Sequence, residues 1–201
     1  MRNARSGLFV GLTAIAALAA ADAAESPAAT DDHLETAEPS SHHGDQSHKP
    51  PKPVGMFVRT VRQATARYRD VQLAESDGYH LHFGCVTGSD AGAMGLHYVN
   101  MDLVGDGKLD PTRPEIVIYE PLPGGRLKLI GADFLVLAEQ WHAENAAPPE
   151  LGGQLLHLFE SPNRFGLPTF YTLHVWAWKD NPSGMFTNWH PRVSCATYSG
   201  E

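Results

Sequence analysis

Three observations predict an α+β fold, a single domain with a curved or nearly closed antiparallel sheet and an N-terminal amphipathic helix packed on it. Residues 56–74 carry an apolar stripe of helical period. Short β-type runs separated by Gly and Pro follow it. Several links between those runs are too short for parallel crossovers, which need a dozen or more residues, so antiparallel pairing is expected.

The chain opens with Arg2 and Arg5 ahead of an uncharged, Leu- and Ala-rich run from Leu8 to Ala21, followed by small residues. That pattern reads as a signal peptide over residues 1–23, cleaved after Ala23. The protein is therefore expected to be exported, to the periplasm or the extracellular space. The apolar run is shorter than the ~20 residues of a membrane helix, and no later run approaches that length, so no membrane insertion is expected. Residues 24–54 are rich in Ala, Ser, Asp, Glu, His and Pro and end in "KPPKPVG", which predicts a disordered His/Pro-rich linker with a stiffer proline end. Its His33, His42, His43 and His48 read as solvated, with weak metal capture as a side reading. The folded domain is expected over residues 55–201.

Within that domain Phe57, Val61, Ala64, Tyr68 and Val71 line one helical face, and Arg59, Arg62, Arg67 and Arg69 lie mostly off it. "SDG" at 76–78 ends the helix. The β-type runs are 79–83, 96–100, 115–120, 127–137, 154–159 and 170–178. The strongest hairpin joins 115–120 to 127–137 through "PLPGGR", whose Pro and paired Gly supply turn geometry. "AEQWHAEN" at 138–145 suggests a short helix.

Cys85 and Cys195 are the two cysteines, and in an exported chain they are expected to form a disulfide. The net charge of −8 offers no basic footprint for nucleic acid, and an anionic membrane surface would repel it. No Gly-x-Ser-x-Gly, phosphate-binding loop or dinucleotide fingerprint is present.

Histidines in apolar or aromatic surroundings are the main chemical signal. In "FYTLHVWAW" strand alternation puts Phe170, Thr172, His174, Trp176 and Trp178 on one face, and Tyr171, Leu173, Val175 and Ala177 on the other. The first set is too polar for a dry core and too aromatic for an ordinary wet face. His97 stands in "GLHYVN", while Glu139 and His142 in "AEQWHAEN" share a face if that segment is helical. Convergence of His97, His142 and His174, with Glu139 as a possible fourth ligand, would hold one transition-metal ion, Zn, Cu or Fe. Glu120 and Tyr98 are candidate groups beside such a site. The alternative is a non-catalytic module that stacks a sugar or other small molecule on Trp176, Trp178 and Trp189. His80 and His82 in "YHLHF" read as a solvated edge strand or a chelating pair. "DLVGDGKLD" at 102–110 resembles a calcium loop but lacks ligands at Val104 and Arg113, and reads as a turn.

The motifs "GAMGLHYVN", "RPEIVIYEP", "GRLKLIGADF", "AEQWH" and "LHVWAWKDNPSGMFTNWHPRVSC" resemble those of a group of short exported bacterial proteins, over about 91–195. The resemblance implies the domain boundary and export. It implies no activity.

Overall fold

The computed structural model describes residues 52–200. The signal peptide and almost all of the linker therefore lie outside the described residues. Helix α1 spans Lys52–Thr65, three residues ahead of the expected domain start at 55, and already buries Val54. Phe57, Val58, Val61 and Thr65 make up the rest of its buried face, whereas Ala64, Tyr68 and Val71 of the expected stripe are only half-buried.

The helix expected to run on to residue 74 instead breaks. A 3₁₀ turn covers Ala66–Arg69, and α2 (Val71–Ser76) starts afresh behind Asp70, whose carboxylate accepts from the Gln72 N–H. An Asx cap competes with helix continuation, and the Tyr119 hydroxyl donates to the Tyr68 carbonyl at 2.7 Å, engaging a group a continuous helix would keep for itself.

The strands are β1 (His80–Thr87), β2 (Ala93–Val99), β3 (Ile116–Leu122), β4 (Arg126–Leu137), β5 (Glu150–Leu151), β6 (Gln154–Leu155), β7 (His157–Phe159) and β8 (Phe170–Val175). Between them lie α3 (Met101–Val104) and α4 (Ala138–Glu144), the latter the short helix expected over 138–145. Six strands form one antiparallel sheet in the order β1-β2-β3-β4-β8-β7, and β5 and β6 make a separate hairpin. The expected 154–159 strand is thus divided between two sheets.

The main sheet is curled into a half-barrel. β2 and β8 are separated by β3 and β4, so a flat sheet would hold them roughly 14 Å apart; yet the His97 and His174 rings lie 6.3 Å from one another. Two glycines permit the curl. Gly95 has φ 101°, and a Cβ there would meet the Tyr119 carbonyl at 2.5 Å. A Cβ on Gly131 would meet the Val175 carbonyl at 2.5 Å, beside the register shift that follows Ile118 in the β3–β4 ladder. Such bulges bend a strand and increase its twist.

One face of the sheet presents Ala132, Phe134, Val136, Tyr171, Leu173 and Val175 to the α1 residues Phe57, Val58 and Val61. The concave face carries Val99, Ile116, Ile118, Leu135, Phe170 and Trp176, covered by the C-terminal segment through Val193. A third cluster packs Leu96, Tyr98, Val117 and Tyr119 with Tyr79 and Ala74. Cys85 and Cys195 form the disulfide, which fastens the chain's end to edge strand β1.

Candidate metal centre

Strand geometry collects the site. His97 pairs with Ile118 across β2–β3, and Asp133 pairs with His174 across β4–β8. Cross-strand partners point to the same face, so all three polar side chains emerge among the apolar residues of the concave face, and the curl brings them together. Among the described residues, His97, Asp133 and His174 are the one group able to hold a metal ion, with a ligand atom of each within 4.8 Å of the others. Ligands sharing a metal at about 2.0–2.2 Å stand closer than this, so the three side chains would draw together around an ion. All three residues are buried.

The hydrogen bonds around the group suit coordination. His97 Nδ1 lies 3.2 Å from the Gly95 carbonyl. A carbonyl only accepts, so Nδ1 carries the proton and Nε2 keeps a lone pair, the usual arrangement of a metal-ligating imidazole. The Thr172 hydroxyl donates to Asp133 Oδ1 at 2.5 Å, and Asp133 Oδ2 stands 4.0 Å from His174 Nδ1, beyond hydrogen-bond range. Neither ring nitrogen of His174 has a hydrogen-bond partner among the described residues, although the residue is 1% exposed.

Burial governs the charges. It lowers the His97 pKa to about 4, against a small opposing effect of the Gly95 carbonyl. His174 falls well below the ordinary imidazole value because of burial, then of His97 and His190 nearby. Burial raises Asp133 to about 7, opposed by the hydrogen bonds from Thr172 and from the backbone N–H groups of Leu173 and Phe134. Both imidazoles are therefore neutral at neutral pH, the form in which they bind metals.

Two residues expected at this site are elsewhere. His142 sits on α4 on the opposite side of the sheet, with Nε2 2.9 Å from the Tyr171 hydroxyl and Nδ1 2.9 Å from the Asn145 carbonyl. Tyr171 and His174 project from opposite faces of β8, so His142 cannot reach the group. Glu139 is exposed on the same helix. Asp133 supplies the carboxylate instead. Its signal was a lone acid inside the otherwise apolar run "LIGADFLVL", where an unpaired carboxylate is costly.

The three tryptophans do not share a surface, and no ring contact joins any two of them. Trp176 is 0% exposed, packed between His174 and His190, and donates to the Thr187 carbonyl. Regular alternation ends with β8 at Val175, and Trp178 turns to the α1 side, donating to Thr65 Oγ1 at 2.9 Å under the Arg69 guanidinium. Trp189 packs on Gly88 near Arg164. A sugar-stacking face formed by the three together is therefore not present.

His82 lies directly opposite His97 in the β1–β2 register but stands half-buried on the edge strand, and His80 is exposed. Tyr79 is buried as its alternation suggested, whereas Leu81 reaches solvent on the edge strand and Phe83, with φ 65° at the β1 register shift, leaves the regular pleat and is exposed as well. Glu120 is bound by Lys179 at 2.8 Å, and Tyr98 belongs to the face away from His97. In the 102–110 segment Asp106 caps Lys108 and pairs with Arg113, as befits a turn.

His190 was not singled out in the sequence. Its Nδ1 accepts from the Arg192 N–H and its Nε2 donates to the Asp180 carbonyl, which makes it a satisfied structural histidine. Comparison of the chain with protein-family models, with curated proteins and with solved structures finds no match in any of the three.

Proposed function

We propose that this domain binds one transition-metal ion through His97, Asp133 and His174. The observation that carries the reading is His174: a fully buried imidazole with two unpartnered nitrogens is expensive, and a metal bond would satisfy one of them beside a second imidazole and a carboxylate. Two histidines and a carboxylate suit Zn, Fe or Cu. The proposal includes export and kinship with short exported bacterial proteins, supported by a disulfide of the kind that persists in oxidising compartments. No helix among the described residues is long and apolar enough to cross a membrane.

The test is calorimetry of Zn, Cu and Fe(II) binding to protein in which His33, His42, His43 and His48 are replaced by alanine to silence the tail. One ion should bind at least as tightly as micromolar, an affinity worth about 8 kcal/mol. His97→Ala, Asp133→Ala and His174→Ala should each weaken binding by at least about 100-fold, more than loss of an outer partner usually costs. His142→Ala should leave it unchanged, and acidification should weaken it, since protons compete for every ligand. Absence of micromolar binding, or indifference to the three substitutions, would remove the metal reading.

A further inference from the structure

We infer that the metal centre takes a small uncharged molecule of diatomic size as its exogenous ligand, received in an apolar cavity that adjoins His97 and Asp133. The inference rests on the metal reading above. Three protein ligands leave a transition metal short of its full coordination, and a two-histidine, one-carboxylate set is the arrangement that keeps positions open for a further ligand.

The two sides of the group differ. Behind His174 stands the Trp176 ring at 4.3 Å, and behind that His190 at 4.9 Å, both 0% exposed, so nothing further can approach from there. On the other side a cavity of about 30 Å³ is lined by His97, Asp133 and Thr172 and otherwise by apolar side chains that include Met94, Leu167 and Phe170.

Its size and polarity select the ligand. A site needs roughly 10–15 Å³ of such volume to hold one water, so this cavity has room for a diatomic and none for an amino acid or a sugar. The Thr172 hydroxyl is already committed to Asp133, which leaves the walls poor in donors for an anion. An anion would have only the metal's own charge to offset its desolvation among these walls, whereas an uncharged molecule meets no such cost.

The entry side is also visible. Phe83, 43% exposed on β1, and Phe165, in the loop between β7 and β8, both line the cavity and contact each other at 5.4 Å. At this seam the two edges of the sheet meet through side chains and not through a hydrogen-bonded ladder, with Arg164 reaching the Thr87 carbonyl at 3.1 Å. Side-chain rotation is fast compared with opening a ladder.

The experiment titrates nitric oxide, under anaerobic conditions, into protein loaded with Fe(II), and follows the iron–nitrosyl signal by electron paramagnetic resonance and absorbance. A stoichiometric adduct is expected. Leu167→Trp, in the loop between β7 and β8, should keep iron bound while weakening nitric oxide at least about tenfold by filling the cavity. Phe165→Ala should retain both and accelerate adduct formation. Cyanide, an anion of the same diatomic size, should bind far more weakly, and a cyanide adduct as tight as the nitrosyl would overturn the uncharged class. Iron bound without an adduct, an adduct indifferent to both substitutions, or failure of iron to load where zinc or copper does, overturns the inference and leaves the metal reading standing. If none of the three metals binds, both fall.

Discussion

Glu115 shows most simply what burial does to an ionisable side chain in this protein. It lies 2% exposed immediately before β3, its Oε2 accepting from the Leu135 N–H at 3.0 Å, and burial raises its pKa to about 8. The folded state therefore keeps a proton that the unfolded chain releases near pH 4.5. Between about 4.5 and 8 the unfolded state binds fewer protons, so this group lowers stability as pH rises, by up to about 1.4 kcal/mol per pH unit. His97 and His174 act in the opposite sense only below their reference pKa of about 6.5, where the unfolded chain is the more protonated. From about pH 6.5 to 8 the carboxyls act alone. Glu115→Gln keeps an oxygen for Leu135 and has no proton to lose, so its stability relative to the parent should increase steadily over that range. Urea unfolding of both proteins at pH 6, 7 and 8, without metal, measures this. Parallel pH profiles would show that Glu115 is not the titrating group.

Among the elements, α1 is held by packing on the sheet, by the Arg62 guanidinium donating to the Ala177 carbonyl, and by a hydrogen-bond relay through buried Thr65. Phe57 meets Phe134 at 5.7 Å, and Thr65 donates to the Val61 carbonyl at 2.7 Å while accepting from Trp178 Nε1 at 2.9 Å. Thr65→Val preserves shape but strands the Trp178 N–H, and should cost about 1–3 kcal/mol in chemical denaturation. Thr65→Ser, which keeps the hydroxyl, should recover part of that. The broken helix at 66–70 shows why periodicity overestimated its length. The stripe from Phe57 to Val71 continues in sequence, but a side-chain cap at Asp70 and the Tyr119 hydroxyl decide where the backbone stops following it.

For the whole molecule, the Cys85–Cys195 bond joins residues 110 positions apart and ties the C-terminal cover of the concave face to β1. Chain-entropy reasoning assigns such a loop roughly 4–5 kcal/mol. Cys85→Ser with Cys195→Ser should lower the thermal midpoint by several degrees or more, and should weaken metal binding, because Trp176 and His190 pack between this cover and His174. Thermal unfolding and calorimetry on the double variant test both parts. An unchanged midpoint would mean that the cover is held by its other contacts, such as the Ala93–His190 bridge.

The α+β class, the β3–β4 hairpin, α4 and the cysteine pair were all legible in the sequence, because alternation, turn residues and cysteine count are local or nearly local signals. Two of the three residues at the candidate centre, His97 and His174, were legible as well, as histidines placed where an unpaired imidazole is costly. The third could be noticed only as an odd acid in an apolar run. Which carboxylate meets those histidines depends on strand order, on register, and on a curl that brings β2 and β8 together across two intervening strands. Glu139 and His142 have a spacing suited to shared coordination, yet their helix lies on the far face of the sheet. Spacing along a chain carries no information about which side of a sheet a helix packs against. Only the tertiary structure decided that, through the apolar faces each element had to bury.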